Sequence, residues 1–154
     1  MTTRPDPRPD PPPPFRLSLR IPPDARYART ARLAIESFAK LHHVGSYDLG
    51  PFLCAVGEAV ANAIEHAASA DDLEIEVKLD HSKLTGIVKD HGRGMPAIPV
   101  NDTPLPQSLT ERGRGIPIMQ RCSDEFSVES IPGKGTEISV TRFRTSLKER
   151  LIFS

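Results

Sequence analysis

PFLCAVGEAVANAIEHAA, residues 51–68, holds two residue sets at helical spacing, and those sets give the segment two faces. Leu53, Val56, Val60, Ile64 and Ala67 recur every three or four residues, an apolar stripe of the kind that packs on a core. Glu58, Asn62, Glu65 and His66 recur at the same intervals elsewhere on the helix, with Glu58 about 200° round from Val60 at ~100° per residue. A polar stripe of this sort is ordinarily a solvated face. Here, however, the segment has no Lys or Arg, and its remaining positions are largely Ala and Gly, which let another group approach closely. The sharper reading is a carboxylate and an amide one turn apart, the amide oxygen suited to a hard cation and the carboxylate to a proton.

Working outward, 154 residues with 38% hydrophobic content are enough for one domain with a real core. Formal net charge is zero and the basic residues are scattered, which argues against nucleic acid or an anionic membrane as the main partner. No apolar run approaches the ~18 residues of a membrane span, and the N-terminus is proline-rich rather than carrying a secretory apolar region. A cytoplasmic location is therefore expected. Cys54 and Cys122 are the only cysteines; with Cys54 inside the opening helix, both are expected to be buried, reduced thiols rather than a disulfide or a metal site. His42, His43, His81 and His91 form no zinc pattern and read as surface residues.

Residues 1–14, MTTRPDPRPDPPPP, favour extended, solvated backbone and read as a disordered tail. FRLSLRI, residues 15–21, alternates as a half-buried strand until Pro22 and Pro23. Asp24 is the expected N-cap of a helix running to about His43, with Tyr27, Ala31, Ala34, Phe38 and Leu41 on its apolar stripe and Gly45 as its stop. SYDLGP links it to the opening helix, which should end near residues 69–72. A hairpin follows: LEIEVKLD, residues 73–80, then LTGIVKD, residues 84–90, placing Leu84, Gly86, Val88 and Asp90 on one face. An acid thus closes a buried row. Residues 95–112 hold four prolines and no period, and a loop of that length reads as a lid. GRGIPIMQRCSD supplies a short helix with Pro117 in its first turn. EFSVESI (125–131) and TEISVTRF (136–143) are the last strands, joined by PGKG. Residues 15–145 are expected to form the domain and 146–154 a C-terminal tail. The order implies an α+β sandwich of two layers, a mixed but mostly antiparallel sheet with helices on one face.

Glycines flank the lid, Gly92 and Gly94 before it and Gly113 and Gly115 after it, and Gly133 and Gly135 sit in the last turn. A pair that opens directly into a helix suits a phosphate resting on free N–H groups. There is no GxxxxGK[ST] and no HRD or DFG set, which excludes a P-loop and a eukaryotic-type protein kinase.

Glu58-xxx-Asn62, Asp90-His-Gly92-Arg-Gly94, Gly113-Arg-Gly115 and Gly133-Lys-Gly135-Thr136, in this order, resemble the four boxes of the Bergerat-fold (GHKL) ATPases over about residues 15–143. Within that superfamily the chain resembles RsbW-type anti-sigma-factor serine kinases, with EAVANAIEHA on the first-box helix and DEFSVES after the third box. The resemblance implies ATP and ADP as ligands. It implies that Asn62 ligates Mg²⁺ bridging the phosphates, that Asp90 accepts from the adenine amino group, and that Gly92 and Gly94 let backbone approach the base. Gly113 and Gly115 would donate to phosphates, Thr136 would support the adenine end, and Glu58 would be the general base. Arg114 or Arg112 is the candidate cation for the γ-phosphate; His66, one turn beyond Asn62, either touches phosphates or packs. Pro117 and the proline-rich lid depart from the pattern.

The implied function is an ATP-dependent serine-protein kinase and anti-sigma factor, its partners a sigma factor and a STAS-domain anti-anti-sigma antagonist, with a homodimer left open. The alternative is a non-catalytic nucleotide-binding switch that acts by sequestration. A sensor histidine kinase would need a dimerisation helix with a phospho-accepting histidine, for which no room is expected.

Overall fold

The computed structural model describes residues 14–66, 71–92 and 115–145. Along them run β1 (Phe15–Ile21), a 3-10 turn (Ala25–Tyr27), α1 (Ala28–Leu41), α2 (Ser46–His66), β2 (Leu73–Leu79), β3 (Lys83–Asp90), α3 (Gly115–Cys122), β4 (Glu125–Ile131) and β5 (Gly135–Phe143). The tail at 1–13, the 95–112 stretch, Gly94, Arg112, Gly113, Arg114 and residues 146–154 lie outside the described residues.

Period-two alternation makes the sheet. In β2, Leu73, Ile75, Val77 and Leu79 are buried while the residues between them are half-buried. The strands are ordered β1-β2-β3-β5-β4, antiparallel at every described pairing. The helices cover one face: α1 packs on β1, α2 on β3 and β5, and α3 on β4, with α2 between the other two helices. This is the expected two-layer α+β sandwich. Phe52 and Ile35 from the helices meet Leu73, Ile75, Leu84 and Ile138 from the sheet in the core. Each such side chain contributes roughly 1.5–3 kcal/mol of transfer free energy. The opposite face carries Arg20–Glu74 at 3.0 Å, Arg16–Glu76 at 3.8 Å and Lys89–Glu137 at 3.9 Å. These pairs are solvated and add little stability.

Gly86 sets how closely α2 approaches the sheet. A Cβ there would lie 2.6 Å from Val56 Cγ2 and 3.3 Å from Phe52 Cζ. Its absence lets those two side chains settle on the strand.

Three local expectations are corrected. The SYDLGP link is the first turn of α2, and Pro51 lies inside the helix. Gly45 O accepts from Asp48 N and Leu49 N, and both Asp48 and Leu49 are buried, so packing starts the helix ahead of the proline and outweighs its lost N–H. Gly45 consequently opens α2 rather than closing α1. The left-handed residue after α1 is His43, φ 63°, with His43 N bonding Lys40 O and Val44 N bonding Ala39 O, the two bonds of a Schellman stop. Asp24 caps the 3-10 turn through Arg26 N, and the buried stripe of α1 is Ala31, Ile35 and Ala39, with Tyr27 and Leu41 exposed. Small residues at 31 and 39 let α1 lie close to its neighbours.

Among the described residues, Asp48 is the one buried acid that no sequence pattern announces. Its carboxylate accepts from Thr145 N at 2.9 Å and Thr145 Oγ1 at 2.7 Å, and Arg142 Nε lies 3.5 Å away. The end of β5 is thereby tied to the start of α2.

Candidate functional site

Strand register builds one half of the site. Asp90 ends β3 opposite Thr136 of β5, and Thr136 is opposite Ser130 of β4, so three polar residues form a row across three strands where the core residues stop. Asp90 is 5% and Thr136 4% exposed, strongly shielded for polar groups. Asp90 Oδ1 accepts from Gly92 N at 2.9 Å; among the described residues its other carboxylate oxygen has no hydrogen-bond donor. Thr136 Oγ1 and Ser130 Oγ are 3.3 Å apart. The row opens on a recess of about 530 Å³, with Lys134 and Gly135 also on its wall. A buried acceptor beside a hydroxyl that both donates and accepts is chemistry for reading the polar edge of a heterocycle.

Gly135 makes the row possible. Its φ is +121°, and a Cβ there would run into Asp90 O and stand 2.9 Å from both Asp90 C and His91 Cα. Only glycine combines that dihedral with that approach. His91, by contrast, leaves the row: Nε2 meets Glu74 Oε2 at 3.2 Å, at an exposed position as expected.

The other half comes from α2. Asn62 is buried at 9% exposure, Glu58 one turn before it is half-buried, and His66 ends the helix half-buried. Glu58 lines a groove of about 600 Å³ between α1 and α2, with Arg29, Arg32, Leu53 and Cys54. Glu58 and the Asp90–Thr136 pair therefore line different cavities. Gly115 is the first residue of α3, where helix N–H groups are free of intrahelical partners. Gly94, Gly113 and Arg114 lie outside the described residues. Among the described residues, no group of three or more His, Cys, Asp or Glu side chains gathers to hold a metal.

Sequence reasoning missed Ser130, whose place beside Thr136 depends on β4–β5 register, and missed why Gly135 is required. The GKG turn was the available signal for Gly135; Ser130 had none.

This combination of antiparallel sheet, one-sided helices and buried acid at a strand end is that of a nucleotide-binding sandwich. Residues 21–142 match the histidine kinase-like ATPase domain. The anti-sigma F factor of Thermoanaerobacter sp. (strain X514) is 33% identical over 118 residues, covering 73% of this chain and 82% of that protein. The anti-sigma F factor of Clostridium kluyveri (strain ATCC 8527) is 30% identical over 122 residues, 76% of this chain and 86% of that protein. The crystal structure of the RsbU and RsbW domains of a Mycobacterium tuberculosis protein superposes with a TM-score of 0.65 at 18% identity. It covers 86% of this chain, which spans 33% of that longer one, and the likeness is one of fold. The chain belongs to the histidine kinase-like ATPase family, alongside the anti-sigma F factors. No helix among the described residues is long and apolar enough to cross a membrane.

Proposed function

We propose that the chain is an ATP-dependent protein-serine kinase that acts as an anti-sigma factor, phosphorylating a STAS-domain antagonist and binding a sigma factor in a partner-switching circuit. The observation that carries this reading is the shielded Asp90 carboxylate, one oxygen held by Gly92 N and the row continued by Thr136. The names of the anti-sigma F relatives support the partner side of it.

In this reading Asp90 accepts from the exocyclic amine of adenine, and Thr136 fixes the same edge through its hydroxyl. Gly92 and Gly94 admit the base, while Gly113 and Gly115 donate N–H groups to phosphate oxygens, Gly115 from the start of α3. Arg114, between those glycines, supplies positive charge at the γ-phosphate, and His66 lies on the same line of α2 one turn past Asn62. Asn62 would hold Mg²⁺: a single amide oxygen is a hard donor that phosphate and water oxygens complete, in keeping with a site that has no cluster of protein ligands among the described residues. When bound, Mg²⁺ neutralises phosphate charge during transfer. Glu58 then takes the proton of the substrate serine as that hydroxyl bonds to the γ-phosphorus and the bond to the ADP oxygen breaks.

Glu58→Ala should abolish serine phosphorylation of a cognate STAS protein and leave ATP affinity within about threefold of wild type, since uniform binding does not pass through the base. Phosphorylation persisting at wild-type rate in that variant would show that Glu58 is not the base. Absent phosphorylation by the wild-type chain, with ATP still bound, would favour the sequestering switch.

A further inference from the structure

Three neighbouring strands, β3, β5 and β4, each carry a core row that ends in a polar residue at the same end of the sheet. The rows are Gly86, Val88 and Asp90 in β3, Val140, Ile138 and Thr136 in β5, and Phe126, Val128 and Ser130 in β4. Asp90 and Thr136 have been given work in base recognition, whereas the half-buried Ser130 has none. Ser130 Oγ lies 3.3 Å from Thr136 Oγ1, and all three residues line one recess. A second cross-strand hydroxyl pair, Thr85 Oγ1 and Thr141 Oγ1 at 3.4 Å, lines no part of that recess. Such a bond supports a sheet wherever it sits, but only the Ser130 pair stands where a ligand would be read.

We propose that Ser130 is a positioning residue for base recognition: its hydroxyl donates to Thr136 Oγ1 and so turns the Thr136 proton into the recess, toward a ring nitrogen beside the amine that Asp90 accepts. A hydroxyl has one proton and two acceptor lone pairs. If Thr136 gave its proton to Ser130, Asp90 and Thr136 would offer the recess acceptors alone. With Ser130 as the donor, the two present an acceptor followed by a donor. That order complements adenine, whose amine donates and whose neighbouring ring nitrogen accepts. Guanine shows the reverse, an oxygen that accepts and a ring N–H that donates, and meets like against like at both positions.

The sheet order gives Ser130 this control. Thr136 lies between its two partners, with Asp90 on the β3 side and Ser130 on the β4 side. A donor arriving from β4 occupies a lone pair there and leaves the Thr136 proton to point elsewhere. Without it the hydroxyl turns freely, and the charged Asp90 carboxylate opposite draws the proton away from a neutral ring nitrogen. This role rests on the nucleotide reading above.

The test titrates ADP and 1-deazaadenosine diphosphate, in which C–H replaces that ring nitrogen, into the full chain and its variants by calorimetry. The wild type should bind the analogue roughly 3–10-fold more weakly than ADP, the weight of one neutral hydrogen bond. In Ser130→Ala, ADP should weaken by a similar factor while the analogue binds as it does to wild type, so the gap between them closes. Ser130→Thr, which keeps the hydroxyl, should restore ADP. In a Thr136→Val background Ser130→Ala should change nothing further, and Thr85→Val, which breaks the comparable pair outside the recess, should leave both affinities at wild type. Equal loss of ADP and analogue in Ser130→Ala would mark a merely structural residue and overturn the role, as would no loss of either. A wild type that binds neither ligand overturns the nucleotide reading with it. A wild type that binds ADP and is weakened by Asp90→Asn but not by Ser130→Ala overturns this role alone.

Discussion

Replacing Gly135 with alanine should cost far more than replacing its neighbour Gly133, although both sit in the same β4–β5 turn with positive φ. At Gly133, φ is +79° and an added Cβ meets nothing within 4 Å, so Gly133→Ala is charged only for the left-handed dihedral, about 1–2 kcal/mol. At Gly135, φ is +121° and the Cβ would enter the space of Asp90 O while standing 2.9 Å from Asp90 C and His91 Cα. Ordinary carbon–oxygen contacts begin near ~3.3 Å, so the backbone of β5 must move away from the end of β3. That movement breaks the Asp90–Thr136 pairing on top of a dihedral strain of roughly 1–3 kcal/mol. A lost ladder hydrogen bond adds about 1 kcal/mol. The expected loss for Gly135→Ala is about 3 kcal/mol or more, or on the order of 6–12 °C in Tm for a chain of this size. Thermal unfolding of both variants, followed by circular dichroism, measures the contrast. Equal losses, or a Gly135→Ala protein melting within about 2 °C of wild type, would refute the claim that β5 must lie this close to Asp90.

Two further outcomes follow from the packing and the turns. Gly86→Ala should destabilise by about 1–3 kcal/mol, because the new methyl group overlaps Val56 Cγ2 at 2.6 Å and α2 must lift from the sheet; denaturant melts will register it as a lower midpoint. Asp80 ends the β2 hairpin arm with its carboxylate accepting from Ser82 N, Ser82 Oγ and Lys83 N. Partial burial pushes its pKa up, but the Ser82 and Lys83 hydrogen bonds together outweigh that and hold it below the ordinary value of 3.8. A lowered folded pKa means that the stabilisation is complete above the unfolded carboxyl's pKa and is lost as pH falls through the folded one. Acid titration of stability should therefore show a contribution, lost below about pH 4, that Asp80→Asn removes; an unchanged acid limb in that variant would sink this assignment.

The sheet was largely legible because period-two burial is written directly in the residues: Leu73, Ile75, Val77 and Leu79 in one strand, Leu84, Gly86, Val88 and Asp90 in the next. That alternation also placed Asp90 at the shielded end of a core row. What escaped were features of register and approach. Ser130 joins Thr136 only because β4 and β5 pair with 130 opposite 136. Cys54 is exposed on α2, contrary to the buried thiol expected from the sequence. The start of α2 was misplaced because Pro51 is a local helix breaker, while burial of Asp48 and Leu49 is a tertiary effect that overrides it. His43 took the left-handed position that glycine two residues later was expected to mark. The polar stripe of α2 was legible as a pattern, and the structure divides it: Asn62 is buried, Glu58 and His66 are half-buried, and Glu65 is exposed.

The most direct test of the nucleotide reading is calorimetric titration of ATP and ADP, with Mg²⁺ present, into the wild-type chain and Asp90→Asn. The buried carboxylate should contribute a charge-assisted hydrogen bond to the base, about 1.5–3 kcal/mol, which corresponds to a loss of roughly 10–100-fold in affinity when the acceptor becomes an amide. Binding by the wild type with that loss in Asp90→Asn is the predicted result; a wild-type chain that binds neither nucleotide at millimolar concentration, or an Asp90→Asn chain that binds both as tightly as wild type, would contradict it.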